Sequence, residues 1–160
     1  MARDRVGTRV VVSTRFARPT LRLSVHQYET IVGHCYDGLP DEACGLLGGP
    51  VAGDGDPTGY VADVYPARNA DASARTYTVD SRDMIRALRA AEGAGGALVG
   101  VWHSHTHTDA YPSDTDVRQA AEPGWVYVIV SLKDGTPVLR AYRIVDGGIR
   151  ETQVVVERRA

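Results

Sequence analysis

Apolar positions along the chain fall into two patterns. Val25, Tyr28, Ile31 and Val32 recur at helical spacing and predict a helix running to about Tyr36. Ser24 and Gln27 form a capping-box pattern ahead of it, and Asp37-Gly38-Leu39-Pro40 ends it. A second helix follows a cap at Asp80 or Ser81, with Met84, Ile85 and Leu88 as its core face, and stops near Gly93. A short third helix spans Asp114 to Ala121, before Glu122-Pro123-Gly124. The other pattern is the short apolar run bounded by turn residues, which predicts strands. Such runs are Leu21–Leu23, residues 43–49, Tyr60–Tyr65, Arg75–Val79, Ala97–Trp102, Trp125–Leu132, Pro137–Val145 and Ile149–Val156. Turns are expected at Asn69–Ser73, Lys133-Asp134-Gly135-Thr136 and Asp146-Gly147-Gly148, and residues 51–59 read as a loop. The mixed order predicts an α+β fold, a sheet in a three-layer α/β/α arrangement with two main helices and a short one. Residues 1–19 read as a flexible tail or, through Val10–Val12, an edge strand; residues 20–160 form one domain.

Composition changes this picture little. The chain has 160 residues, enough for one core, with 43% hydrophobic and 24% charged residues. A formal net charge of -2 gives no general case for nucleic-acid binding. The two cysteines, Cys35 and Cys44, match no zinc-ribbon or disulfide spacing and read as reduced core thiols. The N-terminus has no signal-like apolar stretch, and no run approaches the roughly 18 apolar residues of a membrane span. The expected location is the cytoplasm.

The chemistry concentrates in residues 101–116, VWHSHTHTDAYPSDTD, which hold three of the chain's five histidines. Alternate residues of a strand share a face, so His103 and His105 can meet one ion. Ser113 and Asp116 have the spacing of an N-cap and the third residue of a helix, which brings Asp116 round as a carboxylate ligand. Two histidines and a carboxylate, with a position left for water, make a catalytic zinc set. Each residue alone has a plainer reading: a polar loop histidine, a capping serine, an acid favoured by the helix dipole. Glu42, between the turn at Gly38–Asp41 and an apolar strand, is the best candidate for the base that such a site needs. Trp102 and Tyr111 flank the ligands and serve either as groove walls or as packing.

Glu42 followed by His103-Ser104-His105, seven residues, then Ser113-Asp114-Thr115-Asp116 resembles the signature of the JAMM metalloproteases, also called MPN+ proteins. The stretches DEACG, HSHT, AYPS and AYRIVDGG are most similar to actinobacterial members that act on a sulfur-carrier protein, and the resemblance covers about residues 21–155. It implies a JAMM/MPN fold of cytidine-deaminase-like type, with a curved sheet between helices. It implies that His103, His105 and Asp116 ligate one zinc ion per chain with a catalytic water. Glu42 would act as general base and then acid, and Ser113 as a donor to the oxyanion. The implied partner is a small ubiquitin-like sulfur carrier ending in Gly-Gly, from which cysteine or a C-terminal extension is hydrolysed. A broader isopeptidase of the deubiquitinase kind is the alternative, though the compact span from Asp80 to Asp116 leaves little room for ubiquitin-holding insertions. A non-catalytic MPN scaffold would lack the ligands, and a zinc deaminase would carry a P-C-x-x-C run that is absent here. Where many relatives have proline after the second histidine, this chain has Thr106 and His107; His107 is expected not to be a ligand.

Overall fold

The computed structural model describes residues 20–55 and 57–158, so the tail or edge strand expected in residues 1–19 lies outside the described residues. The elements run β1 (Thr20–Ser24), α1 (Val25–Asp37), β2 (Cys44–Gly49), β3 (Asp63–Ala67), α2 (Ser81–Gly93), β4 (Ala97–His105), α3 (Asp114–Gln119), β5 (Val126–Ser131), β6 (Val138–Val145) and β7 (Gly148–Glu157). The strands form one mixed sheet in the order β1-β7-β6-β5-β4-β2-β3. β1 with β7 and β4 with β5 are parallel, and the remaining pairs are antiparallel.

Strand alternation sorts the core onto two faces. Along β5, Val126, Val128 and Val130 join Ile31 and Cys35 of α1. Tyr127 and Ile129 join Ala87 and Ala91 of α2 and, at the edge of the same cluster, Val117 of α3. All six residues of β5 are buried, as a strand covered on both faces requires. This is the expected three-layer α/β/α architecture. Gly45 on β2 pairs with Trp102 on β4. A Cβ on Gly45 would stand 2.2 Å from the indole, so glycine is what lets that ring lie against the strand.

The sheet curls. The backbone N–H of Arg22 in β1 donates to the Gly59 carbonyl (2.8 Å), and Val61 N–H donates to the Arg22 carbonyl (3.2 Å). Ala62 N–H reaches Gly48 of β2 (2.8 Å), so residues 59–62 tie one end of the sheet to the other. Gly59 sits at φ +87, with Thr20 O 2.2 Å from where its Cβ would be. Only glycine permits so close an approach in that conformation.

Several elements differ from the sequence pattern. Arg75–Val79 is not a strand; Val79 makes only an isolated bridge to Asn69. The reason is Asn69, whose amide side chain donates to the Thr76 carbonyl (3.0 Å) and accepts from Asp71 N–H (3.0 Å) and Thr78 N–H (3.1 Å). That side chain takes up backbone groups that a ladder would otherwise use. β3 begins at Asp63 rather than Tyr60, because residues 59–61 are committed to β1. Helix α2 is rotated from its expected orientation: Met84 packs against the core as expected, but Ile85 is 50% and Leu88 40% exposed. Its buried residues are Ala87 and Ala91. Small side chains allow the helix to sit close on the sheet, which the larger apolar residues concealed in the sequence. β4 runs on to His105 instead of ending at Trp102, since Ser104 and His105 pair with Val130 and Ser131 of β5. α3 ends at Gln119. Both cysteines are free and buried.

Candidate metal centre

The extension of β4 sets the site. His103 pairs with Cys44 of β2, and the next residues continue the register: Ala43 N–H donates to Ser104 Oγ (2.8 Å), and Ser104 N–H donates to the Ala43 carbonyl (3.0 Å). One further step places Glu42 opposite His105. In an antiparallel pair, opposed residues share a face, so Glu42 looks onto the same side as both histidines. Their shared face is the one covered by α2 and α3, because Val101, two residues earlier on β4, belongs to that core. Ser104 is therefore a positioning residue the pattern did not reveal. In Ser104→Ala the buried Ala43 N–H loses its acceptor, and the protein should lose about 1–3 kcal/mol in chemical denaturation; an unchanged midpoint would contradict this role.

Asp116 reaches the histidines from α3. Ser113 caps that helix: its Oγ accepts from Asp116 N–H (3.1 Å), while Asp116 Oδ2 accepts from Ser113 N–H (2.8 Å). This reciprocal box fixes the carboxylate. Asp116 Oδ2 lies 3.2 Å from His105 Nε2, Oδ1 lies 3.3 Å from His103 Nε2, and the two Nε2 atoms are 3.1 Å apart. Among the described residues, these three make the group that could hold a metal ion. Ligands of tetrahedral zinc at about 2.0–2.1 Å stand roughly 3.3–3.4 Å from one another, close to the spacing here. The donor set fits zinc in chemistry as well as distance.

The surroundings orient these three side chains. Asp109 offers its carbonyl to His105 Nδ1 at 2.7 Å. A carbonyl only accepts, so Nδ1 carries the hydrogen and Nε2 presents its lone pair to the cluster. Tyr77 stacks on His103, with ring centroids 4.2 Å apart. Burial drives His103 below the usual histidine range, although Asp116 pulls the other way. His105 is also penalised by burial, but its protonated ring could donate to both Asp116 and the Asp109 carbonyl, and that leaves it raised. Burial would raise Asp116; the two histidine rings that face it outweigh that and hold its carboxyl well below the usual range. Glu42 is 6% exposed, and burial pushes its pKa up to about 7, with His105 opposing and Asp116 adding to the rise.

The structure thus brings Glu42, His103, His105 and Asp116 onto one face, with Ser113 at the head of α3. His107 is exposed and outside the cluster. Trp102 is no groove wall: it points to the α1 side, fully buried, edge-on to His34 (5.3 Å). Tyr111 is 54% exposed and leans edge-on against Tyr142 (5.6 Å). Tyr77 and the Asp109 carbonyl escaped the sequence reading. Tyr77 arrives on a segment with no regular period, and a backbone carbonyl has no residue-type signal.

Residues 24–145 match the family described as prokaryotic homologs of the JAB domain. The chain belongs to the JAB/MPN (JAMM) family. It is 45% identical over 130 residues to the CysO-cysteine peptidase of Mycobacterium tuberculosis, covering 80% of this chain and 86% of that one. It is 36% identical over 142 residues to a desampylase of Haloferax volcanii, covering 86% and 96%. A solution structure of a Desulfitobacterium hafniense protein superposes with a TM-score of 0.77 at 34% identity, over 87% of this chain and 94% of that one. A JAB1/MPN domain protein from Archaeoglobus fulgidus shares the fold, with a TM-score of 0.53 at 19% identity, covering 84% and 99%. The JAMM fold predicted from the motif is the fold observed, and the chain is a hydrolase of the JAMM peptidase type. No helix among the described residues is long and apolar enough to cross a membrane.

Proposed function

We propose that this JAMM protein is a zinc-dependent peptidase that hydrolyses the amide bond at the C-terminus of a small ubiquitin-like sulfur carrier. It would release cysteine, or a short extension, and regenerate the Gly-Gly end. The observation that carries the reading is the convergence of His103, His105 and Asp116 within 4.8 Å of one another, with Glu42 in register beside them. The 45% identity to a protein named CysO-cysteine peptidase supports the substrate class, as does the 34% identity over 99 residues to a probable TtuB-protein conjugate cleaving protease of Thermus thermophilus.

Zinc bound by His103, His105 and Asp116 would supply Lewis acidity at the scissile carbonyl and to an attacking water. Glu42 takes the water's proton and passes it to the leaving amine; a carboxyl with its pKa near 7 suits both tasks. Ser113 Oγ receives the Asp116 N–H through a lone pair, so its own O–H remains available to donate to the oxyanion at the scissile carbon. Asp109 keeps His105 in the ligating tautomer.

The test is to incubate zinc-loaded protein with a carrier ending in Gly-Gly-Cys and follow its mass. The carrier should lose one cysteine residue; an intact carrier beside a folded, zinc-bound enzyme contradicts the substrate claim. The likeness to a desampylase over 96% of its length favours a second reading, a broader isopeptidase. A carrier joined to a lysine side chain, run in parallel, separates the two: comparable rates on both substrates support the broader activity.

A further inference from the structure

We propose that the cavity lined by residues 57–60 is a second ligand site, which takes a small oxyanion, a carboxylate or phosphate group, through Arg143 and Thr152. The cavity is about 120 Å³ and lies at the opposite end of β4 and β5 from the metal centre. Val99 and Val126 are among its walls. Val99 precedes His103 and His105 by four and six residues, roughly 13–20 Å along a strand. A single buried water needs about 10–15 Å³, so the space holds several atoms beyond one water.

Polar atoms without partners mark the site. Among the described residues, three buried side-chain N or O atoms have no hydrogen-bond partner: Trp102 Nε1, Arg143 Nε and Thr152 Oγ1. Two of the three belong to residues lining this one cavity. The strand register explains why they meet. Ala141 pairs with Thr152 and Arg143 with Arg150, so Arg143 and Thr152 are diagonal neighbours on the same face of adjacent strands. That is the α1 face, since Ala141 belongs to the core on that side. Thr152 is 5% exposed, so its hydroxyl has little access to bulk solvent. Arg143 is held from outside by a hydrogen bond from its Nη2 to the Pro123 carbonyl (3.0 Å).

The chemistry selects an anion. Arg Nε is only a donor and carries charge, and a hydroxyl can donate beside it. No carboxylate residue is among the cavity's described lining, and neither Arg143 nor its cross-strand neighbour Arg150 enters an ion pair among the described residues. Among the other walls Leu21, Val99 and Val126 are apolar and Thr20 and Thr58 are polar, and the small volume limits the ligand to a compact group.

The test is a chemical-shift titration of the zinc-loaded protein with inorganic phosphate in one arm and acetate in another, at constant ionic strength. Saturable shifts should appear at Gly59, Tyr60, Val126, Arg143 and Thr152 in at least one arm, and the arm that saturates names the group. Arg143→Gln and Thr152→Val should each weaken binding at least tenfold, with peptidase turnover unchanged. Thr152→Val is nearly isosteric and removes an orphaned hydroxyl, so its ligand-free Tm should equal or exceed that of the wild type. Absence of saturation in both arms, shifts confined to residues 103–116, or undiminished binding in both variants would overturn the proposal.

Discussion

Glu42→Gln should lower turnover by about 10²–10⁴-fold, the usual contribution of a positioned general base, while zinc content stays at the wild-type level. The substitution keeps the shape of the side chain. It also keeps the backbone bonds that hold the residue, Glu42 N–H to the Ser73 carbonyl (2.8 Å) and Asn69 Nδ2 to the Glu42 carbonyl (2.9 Å). What it removes is the proton acceptor. The pH profile offers a second check on the same residue. Burial raises Glu42 to about 7, because it penalises the carboxylate and spares the neutral acid. A base acts in its ionised form, so kcat/KM must fall as pH drops through that value. A bound cation pulls the pKa back, so the acidic limb should lie between the ordinary glutamate value of about 4.3 and 7. The limb should vanish from the residual activity of Glu42→Gln. A variant with wild-type rates would remove Glu42 from the mechanism.

Asp116→Asn should weaken zinc binding at least about 10²-fold and abolish measurable turnover, because it exchanges a charged ligand for a neutral amide. The change is aimed at the ligand rather than the helix. Asn retains an oxygen to accept from Ser113 N–H, and its own backbone N–H still reaches Ser113 Oγ, so the cap over α3 survives. Circular dichroism should therefore match the wild type while a chelator-competition assay reports the loss. Wild-type zinc affinity in Asp116→Asn would mean that Asp116 does not hold the ion.

Much of the candidate site was legible because its residues obey local periodicities. His103 and His105 share a face by the two-residue repeat of a strand. Ser113 and Asp116 meet by the geometry of a helix start, the same relation that places Ser24 beside Gln27 in α1. Glu42 stood out as a charge at the head of an apolar run, and the β2–β4 register supplies the reason. The three-layer arrangement followed from helices with one apolar stripe alternating with short buried strands. The rest depends on contacts between distant segments. Asn69 uses its side chain to replace a strand ladder across residues 69–78, and nothing in the period of those residues reports it. The orientation of α2 is set by how closely Ala87 and Ala91 approach the sheet, whereas a reading by hydrophobicity favours Ile85 and Leu88. Trp102, adjacent to His103 in sequence, is turned away from the site by the same alternation that aligns the histidines. The curl through Gly59 needs the steric relation to Thr20, which no spacing rule contains.

Peptidase activity should depend on one ion held by His103, His105 and Asp116. The most direct measurement is the rate of cysteine release from a carrier ending in Gly-Gly-Cys as a function of zinc bound per chain, after chelation and stepwise reloading. The rate should rise in proportion to bound zinc, reach its plateau at one ion per chain, and fall to background in stripped protein. Undiminished release from fully stripped, folded protein would contradict the account.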